Sequence, residues 1–405
     1  MKVLIIGGGA SGMMAALSAA RDPRNRVILL ERQSRVGKKL LATGNGRCNL
    51  TNIHADASHY HGQNADFVIP ALEKFGVEKT LDFFHELGLL TVMEDDGKVY
   101  PLSDHAASVV DVLRFALEEY GVQVECSCEV TSVRKKARGW QADCADGRGF
   151  FADKLIIAAG GAACKKLGAT EDGYRFLTSL GHHCTELSPS LVQIKTKPDE
   201  VRALKGIRAD ANVILKIGGS KISQYAGQVQ FTEFGVSGPV GFSLSRFVSD
   251  SDGEKVLLLD FMRSYDDVFS LLQKKRAAFA HLPVQSLLAG MLHSRLANVI
   301  LARAGLDKNM LIGELDDAAL TNVAKTVKCF SLPVIGLMGL DQAQVTAGGI
   351  LTSEFVPQSL ESRLAEGVFA TGEVLDVDGD CGGYNLQWAW TSGYVAGLLG
   401  NEERL

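Results

Sequence analysis

The chain has 405 residues, 46% hydrophobic and 22% charged, with 42 Lys and Arg against 47 Asp and Glu for a net charge of −5. That is apolar material for two or three domains at roughly 150 residues each, and an acidic balance without a basic run gives nucleic acid no electrostatic footing. Eight cysteines with no C-x-x-C spacing argue against a disulfide scaffold or a zinc ribbon and fit a reducing cytoplasm.

The chain opens with KVLII, a short buried strand, followed by the turn GGGASG, a helix over MMAALSAARD and a second strand, RVILLE. Strand–helix–strand alternation argues for a parallel sheet with helical crossovers. The opening stretch holds one early charge and glycines that interrupt its apolar run, so it is not read as a secretory signal. No run of about 18 apolar residues follows to span a membrane. Amphipathic spacing predicts helices around 70–87 and 106–120. Three strand-like segments come next: VQVECSCEVTSV, GWQADCAD and KLIIAAGG. Within the first, Cys126 and Cys128 face one side of a strand as packed thiols. From about Ser190 to Leu259 short alternating runs such as NVILKI and KVLLLDF predict a β-unit. From about Tyr265 to Thr326 the period turns helical, most clearly in LLAGMLHSRLANVILARAG. Strands and glycine turns return from about Val345, leading to a last helix that ends near Gly400. The organisation predicted is one discontinuous nucleotide-binding domain, residues 1–189 and 345–405, interrupted by β-rich segments at 190–264 and 327–344 around a helical subdomain at 265–326.

Chemistry enters at G-x-G-x-x-G, formed by Gly7, Gly9 and Gly12 between the first strand and its helix, with Glu31 ending the second strand. Gly7 permits the tight turn, Gly9 lets backbone approach a pyrophosphate, and Gly12 lets helix and strand pack closely. The N–H groups of Ala10 and Ser11 at the helix start suit phosphate oxygens, and Glu31 stands where a ribose-binding carboxylate belongs. Further on, ATGNGRCNLTN offers the polar groups of Thr43, Asn45, Arg47 and Asn49, with Gly44 and Gly46 permitting unusual backbone angles. This loop is read as running along a pyrophosphate, the other reading being an Asx-rich surface loop. Candidates for chemistry beyond a cofactor are Cys48, as a reactive or a packed thiol, Tyr100 and His105, with Asp104 or Ser103 as a helix cap, and Glu233, as an acid–base group or a solvated carboxylate. His54, His59 and His61 fit no zinc spacing, and no metal is expected.

AAGG at Ala158–Gly161 and GVFATGEVLD at Gly367–Asp376 resemble segments of the two-dinucleotide-binding-domain flavoproteins, where they line FAD and the residue matching Glu373 approaches the ribityl chain. In GDCGGYNLQWAW, Gly383 and Asn385 precede a helix from about Leu386 whose positive end suits the N1–C2=O edge of an isoalloxazine; Asn385 as an ordinary N-cap is the other reading. GKKLLATGNGRCNLTN, VYPLSDHAASVVDVL, LGATEDGYRF, FTEFGVSGP, VTAGGI and GEVLDVDGDCGGYNLQWAW together resemble the bacterial flavoprotein family that includes aminoacetone oxidases and bile-acid 3-dehydro-Δ4,6 reductases. The resemblance implies an α/β fold, a Rossmann-like FAD-binding domain with an inserted β-barrel-like domain and a helical subdomain. It adds Arg32, Lys38, Lys39, Val130, Ala159, Gly160, Gly372 and Leu386 to the expected cofactor contacts. Ala169 and Glu171 replace small polar residues of the family pattern, and Glu233 stands where the family has histidine. The resemblance implies an FAD-dependent oxidoreductase; the expected absence of nucleic-acid partners and of a membrane span rests on charge and hydropathy instead. The reading is NAD(P)H-dependent reduction of an activated C=C or C=O in a small or steroid-like molecule. No second complete G-x-G-x-x-G marks a nicotinamide site, which gives weight to an oxygen-dependent amine oxidase; a non-catalytic redox-sensing flavoprotein is a further alternative, and a tRNA-modifying flavoenzyme is disfavoured by the acidic balance.

Overall fold

The structure, a computed structural model, describes residues 1–249 and 253–401 apart from the side chains of Pro198 and Glu200; residues 402–405 of the expected C-terminal segment lie outside the described residues. Two units form, one from Met1–Ser190 with Ala343–Leu405, the other from Leu191–Gln342.

In the first unit the framework elements are β1 (Lys2–Ile6), α1 (Ala10–Ala20), β2 (Arg26–Leu30), α2 (Ala106–Glu119), β3 (Gln123–Glu125), β4 (Lys154–Ile157), β5 (Val368–Ala370) and α3 (Tyr384–Gly397). The strands make one sheet in the order β5-β4-β1-β2-β3, every pair parallel. β1 lies at its centre, with Leu4 opposite Leu155 on one side and Ile28 on the other. A parallel sheet is covered on both faces, which is why β1 and β2 read as apolar runs rather than as alternation. α1 and α3 approach backbone to backbone: a Cβ on Gly393 would stand 2.4 Å from the Ser11 carbonyl oxygen, and one on Gly397 2.5 Å from that of Ala15. The Ser18 hydroxyl donates across this seam to the Tyr394 carbonyl at 2.7 Å. Below it, buried Gln387 accepts from the Thr51 hydroxyl at 2.6 Å and donates to Thr80 and Thr391 at 2.8 and 2.9 Å. A fully satisfied network of this kind fixes one docking geometry.

The second unit holds a closed barrel of six strands, Ile194–Thr196, Arg208–Ile217, Ser220–Phe231, Gly235–Ser237, Lys255–Asp260 and Phe330–Leu337. Alternation in Arg208–Ile217 turns Ala211, Val213, Leu215 and Ile217 inward. These residues share one core with Leu272, Ile300 and Leu320 from the helices Val268–Ala278, Ser294–Arg303 and Asp317–Lys328.

Several local expectations are corrected. The helix expected over 70–87 is two, Ile69–Lys74 and Val77–Glu86, because the chain leaves the helical region at Phe75 and Gly76. VQVECSCEVTSV is not one strand: Ser127 takes φ 51°, so β3 ends before Cys126 and Val130–Lys135 pairs in a separate antiparallel sheet. Cys126 and Cys128 therefore flank a turn, and Cys128 faces Cys144. Of LLAGMLHSRLANVILARAG, Ser294–Arg303 forms an α-helix, since Gly290 at φ 82° interrupts the run. Gly238–Ser249 is a helix within a stretch expected to be β-rich. Among the described residues no helix is long and apolar enough to cross a membrane.

Candidate functional site

The turn between β1 and α1 is built as its glycines require. Gly7 takes φ 112°, and a Cβ there would lie 2.3 Å from the Ala158 carbonyl oxygen at the end of β4. A Cβ on Gly12 would lie 1.8 Å from the Gly7 carbonyl oxygen and 3.2 Å from the Ala158 methyl. Both positions thus serve the joining of helix and sheet. Gly9 differs: it is the N-cap of α1, and its Cβ would meet no protein atom within 4 Å. No side chain caps this helix start, and its first turn holds no acidic residue. Glu31 folds back on the turn, its Oε2 accepting from the Gly8 N–H at 2.8 Å and its Oε1 from that of Gln33 at 2.7 Å. Burial pushes its carboxyl above the ordinary value, against the pull of those two N–H groups.

The other end of the cradle comes from the last helix. Gly383 at φ 104° is the N-cap of α3, which begins at Tyr384, two residues earlier than expected. Asn385 therefore lies in the first turn rather than at the cap, and its amide clamps the preceding loop, accepting from the Gly379 N–H and donating to the carbonyls of Gly379 and Asp380. Asn49 is buried, and among the described residues its Oδ1 has no hydrogen-bond partner; it sits 3.0 Å from where a Gly383 Cβ would be. Leu386 is half-buried one residue further on. Gly372 takes φ 76° against the Ser11 side chain, and its N–H donates to Ser392 at 3.0 Å. Glu373 accepts from the Lys39 ammonium at 2.8 Å and from the Thr346 N–H at 2.9 Å. Ala159 and Gly160 follow β4, and a Cβ on Gly160 again meets open space.

The loop Ala42–Asn52 is held by its own turns, with Gly44, Asn45 and Cys48 all at φ between 56° and 61°. Thr43 spends its hydroxyl on the Leu40 carbonyl, and Asn45 is exposed. Arg47 stacks 3.9 Å over the Tyr100 ring and pairs with Glu94 and Asp104. Arg32 pairs with Glu129 and Asp172, Lys38 donates to Gln33, and Val130 is buried at the start of the antiparallel sheet. Burial pushes the Cys48 thiol up to about 12 against a smaller lowering influence of Thr43, so it stays protonated at neutral pH. Burial likewise raises the Tyr100 phenol. His105 is exposed at the N-cap of α2 and makes no capping bond, while Ser103 donates to Ser108. Glu233, in the second unit, is exposed and bonded to Lys205 at 2.8 Å, which holds its carboxyl below the usual range.

Sequence reasoning passed over Gly8, Thr346, Gly161 and Asp380. A Cβ on Gly161 would strike Glu373 at 2.5 Å, and Thr346 ties that carboxylate to VTAGGI. Asp380 bonds both His59 (Nδ1, 3.0 Å) and His61 (Nε2, 2.8 Å). The signal was the cluster of three histidines; what hid the pairing is the 319 residues separating His61 from its partner.

A cradle that leaves room at Gly9, Gly46 and Gly160, with an acceptor at Asn49 awaiting an N–H donor, fits a diphosphate that carries a hydrogen-bonding ring system. The class this defines is the FAD-dependent oxidoreductases. The chain belongs to the HI0933-like protein Rossmann domain family, which matches residues 1–399. It is 40% identical over 411 residues to the 3-dehydro-bile acid delta(4,6)-reductase of Clostridium scindens, covering 99% of each chain. It is 29% identical to the ribosomal RNA dihydrouridine synthase of Escherichia coli K12, over 97% of this chain and 96% of that one. Among solved structures it is similar to the 3-ketosteroid-delta4-(5alpha)-dehydrogenase of Rhodococcus jostii, at 17% identity over 98% and 95% of the two chains with a TM-score of 0.48.

Proposed function

We propose that this enzyme saturates a C=C bond conjugated to a carbonyl in a flat, steroid-like molecule, with NAD(P)H as the electron donor. The observation that carries the reading is full-length identity of 40% to an enzyme named for reducing a bile-acid Δ4,6 system. The more distant relatives support the same bond change, since dihydrouridine is uridine with its ring C=C saturated beside a carbonyl. When bound, FAD supplies hydride chemistry. The chain's own residues would hold it. N–H groups at the start of α1 take the diphosphate and Glu31 the ribose hydroxyls. Asn49 Oδ1 would accept a ring N–H, and the positive end of α3 would stabilise negative charge on the ring. Lys39 on Glu373 keeps one carboxylate of the cradle neutralised beside a dianionic ligand.

A second reading is uridine in ribosomal RNA, favoured by the relatives of that name and opposed by a net charge of −5. Anaerobic stopped-flow mixing separates the readings. NADPH should bleach the flavin and aminoacetone should not. A 3-oxo-Δ4 steroid should then restore the yellow colour, while an RNA fragment should leave the flavin reduced. Rapid bleaching by aminoacetone alone would turn the reading into an amine oxidase, and reoxidation by RNA but not by the steroid would move the substrate to uridine.

A further inference from the structure

Saturating a conjugated C=C takes a hydride at one carbon and a proton at the other. The groups around the start of α3 are candidates for that proton. Burial pushes the Cys381 thiol up to about 11 and the Tyr384 phenol up to about 12. Both hold their protons more tightly than a donor working near neutral pH should. Two imidazoles lie beside them, held by one carboxylate. The short strand Tyr60–His61 pairs antiparallel with Asp378–Gly379, and the Asp380 N–H donates to the His59 carbonyl at 3.0 Å. The register brings two rings onto opposite oxygens of one carboxylate, His59 Nδ1 at 3.0 Å from Oδ2 and His61 Nε2 at 2.8 Å from Oδ1. The His59 ring also stacks on Tyr384, the first residue of α3, with centroids 4.3 Å apart. Asn385 clamps the backbone of Gly379 and Asp380 from the other side. The His59 side chain is 29% exposed, and among the described residues its Nε2 makes no hydrogen bond. Asp56, from the same loop, is a further charged group that interacts with it.

We infer that His59 is the proton donor of the reduction, delivering from Nε2 while Asp380 holds Nδ1; the assignment rests on the conjugated-carbonyl reading above. Asp380 is a positioning residue, fixing the tautomer and the ring plane as a carboxylate behind an imidazole does. In the step, a C–H bond forms at the carbon next to the carbonyl and the Nε2–H bond of the imidazolium breaks. Neutral imidazole remains and regains its proton from water. The two electrons come with the hydride, whose source is the dihydronicotinamide donor.

The test uses the FAD-loaded full chain, a 3-oxo-Δ4 steroid and D2O. H59Q should bind FAD with a dissociation constant within about threefold of the parent and accept electrons from NADPH at an unchanged rate. Its oxidation by the steroid should slow about 10²- to 10³-fold. Excess imidazole should return about tenfold of that loss in His59→Ala, and none of it in the parent. The parent should place deuterium on one face of the carbon next to the carbonyl, and H59Q on both. With ¹⁵N-labelled oxidised parent, adding the steroid should shift the His59 Nε2 resonance; this readout needs no turnover and stands if H59Q fails to fold. Unchanged steroid-dependent oxidation in H59Q, equal slowing of both half-reactions, or a Nε2 resonance that ignores the steroid overturns the assignment. If the parent itself is oxidised by no enone, the functional reading falls and the assignment falls with it. A parent that reduces the enone while H59Q matches it refutes His59 alone.

Discussion

Gly9 and Gly12 are three residues apart in one motif, yet the structure separates what they do. At Gly9 the backbone is extended, φ −79° and ψ −170°, and an added methyl meets no protein atom within 4 Å. Alanine there should leave the apoprotein's stability within about 1 kcal/mol of the parent: restricting the unfolded chain stabilises by about 0.4–1 kcal/mol, and a poorer N-cap costs a similar amount. The methyl occupies the space that the diphosphate would enter. Disturbing one charged hydrogen bond costs about 1.5–3 kcal/mol, so FAD affinity should fall about 10- to 150-fold. Gly12→Ala places its methyl 1.8 Å from the Gly7 carbonyl oxygen and should damage folding and binding together. Urea melts of flavin-free protein read the first quantity, and quenching of flavin fluorescence on titration reads the second. A Gly9→Ala protein that binds FAD as tightly as the parent would show that the diphosphate lies elsewhere.

The seam between α1 and α3 makes a second prediction. Gly393→Ala must push the facing backbones about 1 Å further apart, which should cost about 1–3 kcal/mol; a midpoint in urea equal to the parent's would refute that contact. Gln387→Leu strands the buried Thr51 hydroxyl without its acceptor and removes the donor shared by Thr80 and Thr391. The stranded Thr51 hydroxyl alone should cost about 1–3 kcal/mol, again read by urea. His182 is buried between Glu354 and Ser362. Burial lowers its pKa although Glu354 pulls the other way, so the unfolded chain takes up its proton first as pH falls. The stability this gives is present above the unfolded value of about 6.5 and is lost as pH drops through the folded one. His182→Gln should flatten that region of the melting-temperature profile, and an unchanged slope would assign it to other groups.

The Rossmann half was legible because its signals are local. Four apolar residues in a row, three glycines at fixed spacing and an acidic residue at the end of the next strand leave few other arrangements, and β1, α1 and β2 lie where the pattern puts them. The closure of the barrel was not legible from the residues, since alternation in NVILKI states which face is buried but not which strands pair. Gly238–Ser249 was missed inside the expected β-unit because its glycines, proline and serines interrupt any helical period, while Val240, Leu244 and Val248 supply a helical face that tertiary packing buries. LLAGMLHSRLANVILARAG erred the other way: its apolar period is continuous, and one glycine in the left-handed region decides the boundary. In the site, the sequence ranks Arg47 among ligand groups by type alone. Its partners Glu94 and Asp104 lie 47 and 57 residues along the chain, a distance over which no spacing rule operates.

The bond from Ser18 to Tyr394 joins residues 376 positions apart, and β5 and α3, needed to finish the first unit, follow the whole of the second unit in the chain. On the ribosome, α1 must therefore wait until the second unit has been made before its partner helix exists, whereas residues 191–342 can bury their own core as soon as they emerge. Late closure of this kind is slow because loop entropy is spent before the contacts form. A truncated product ending anywhere before Tyr384 would present the apolar flank of α1 to water, and quality control would meet it as a sticky fragment with a finished middle.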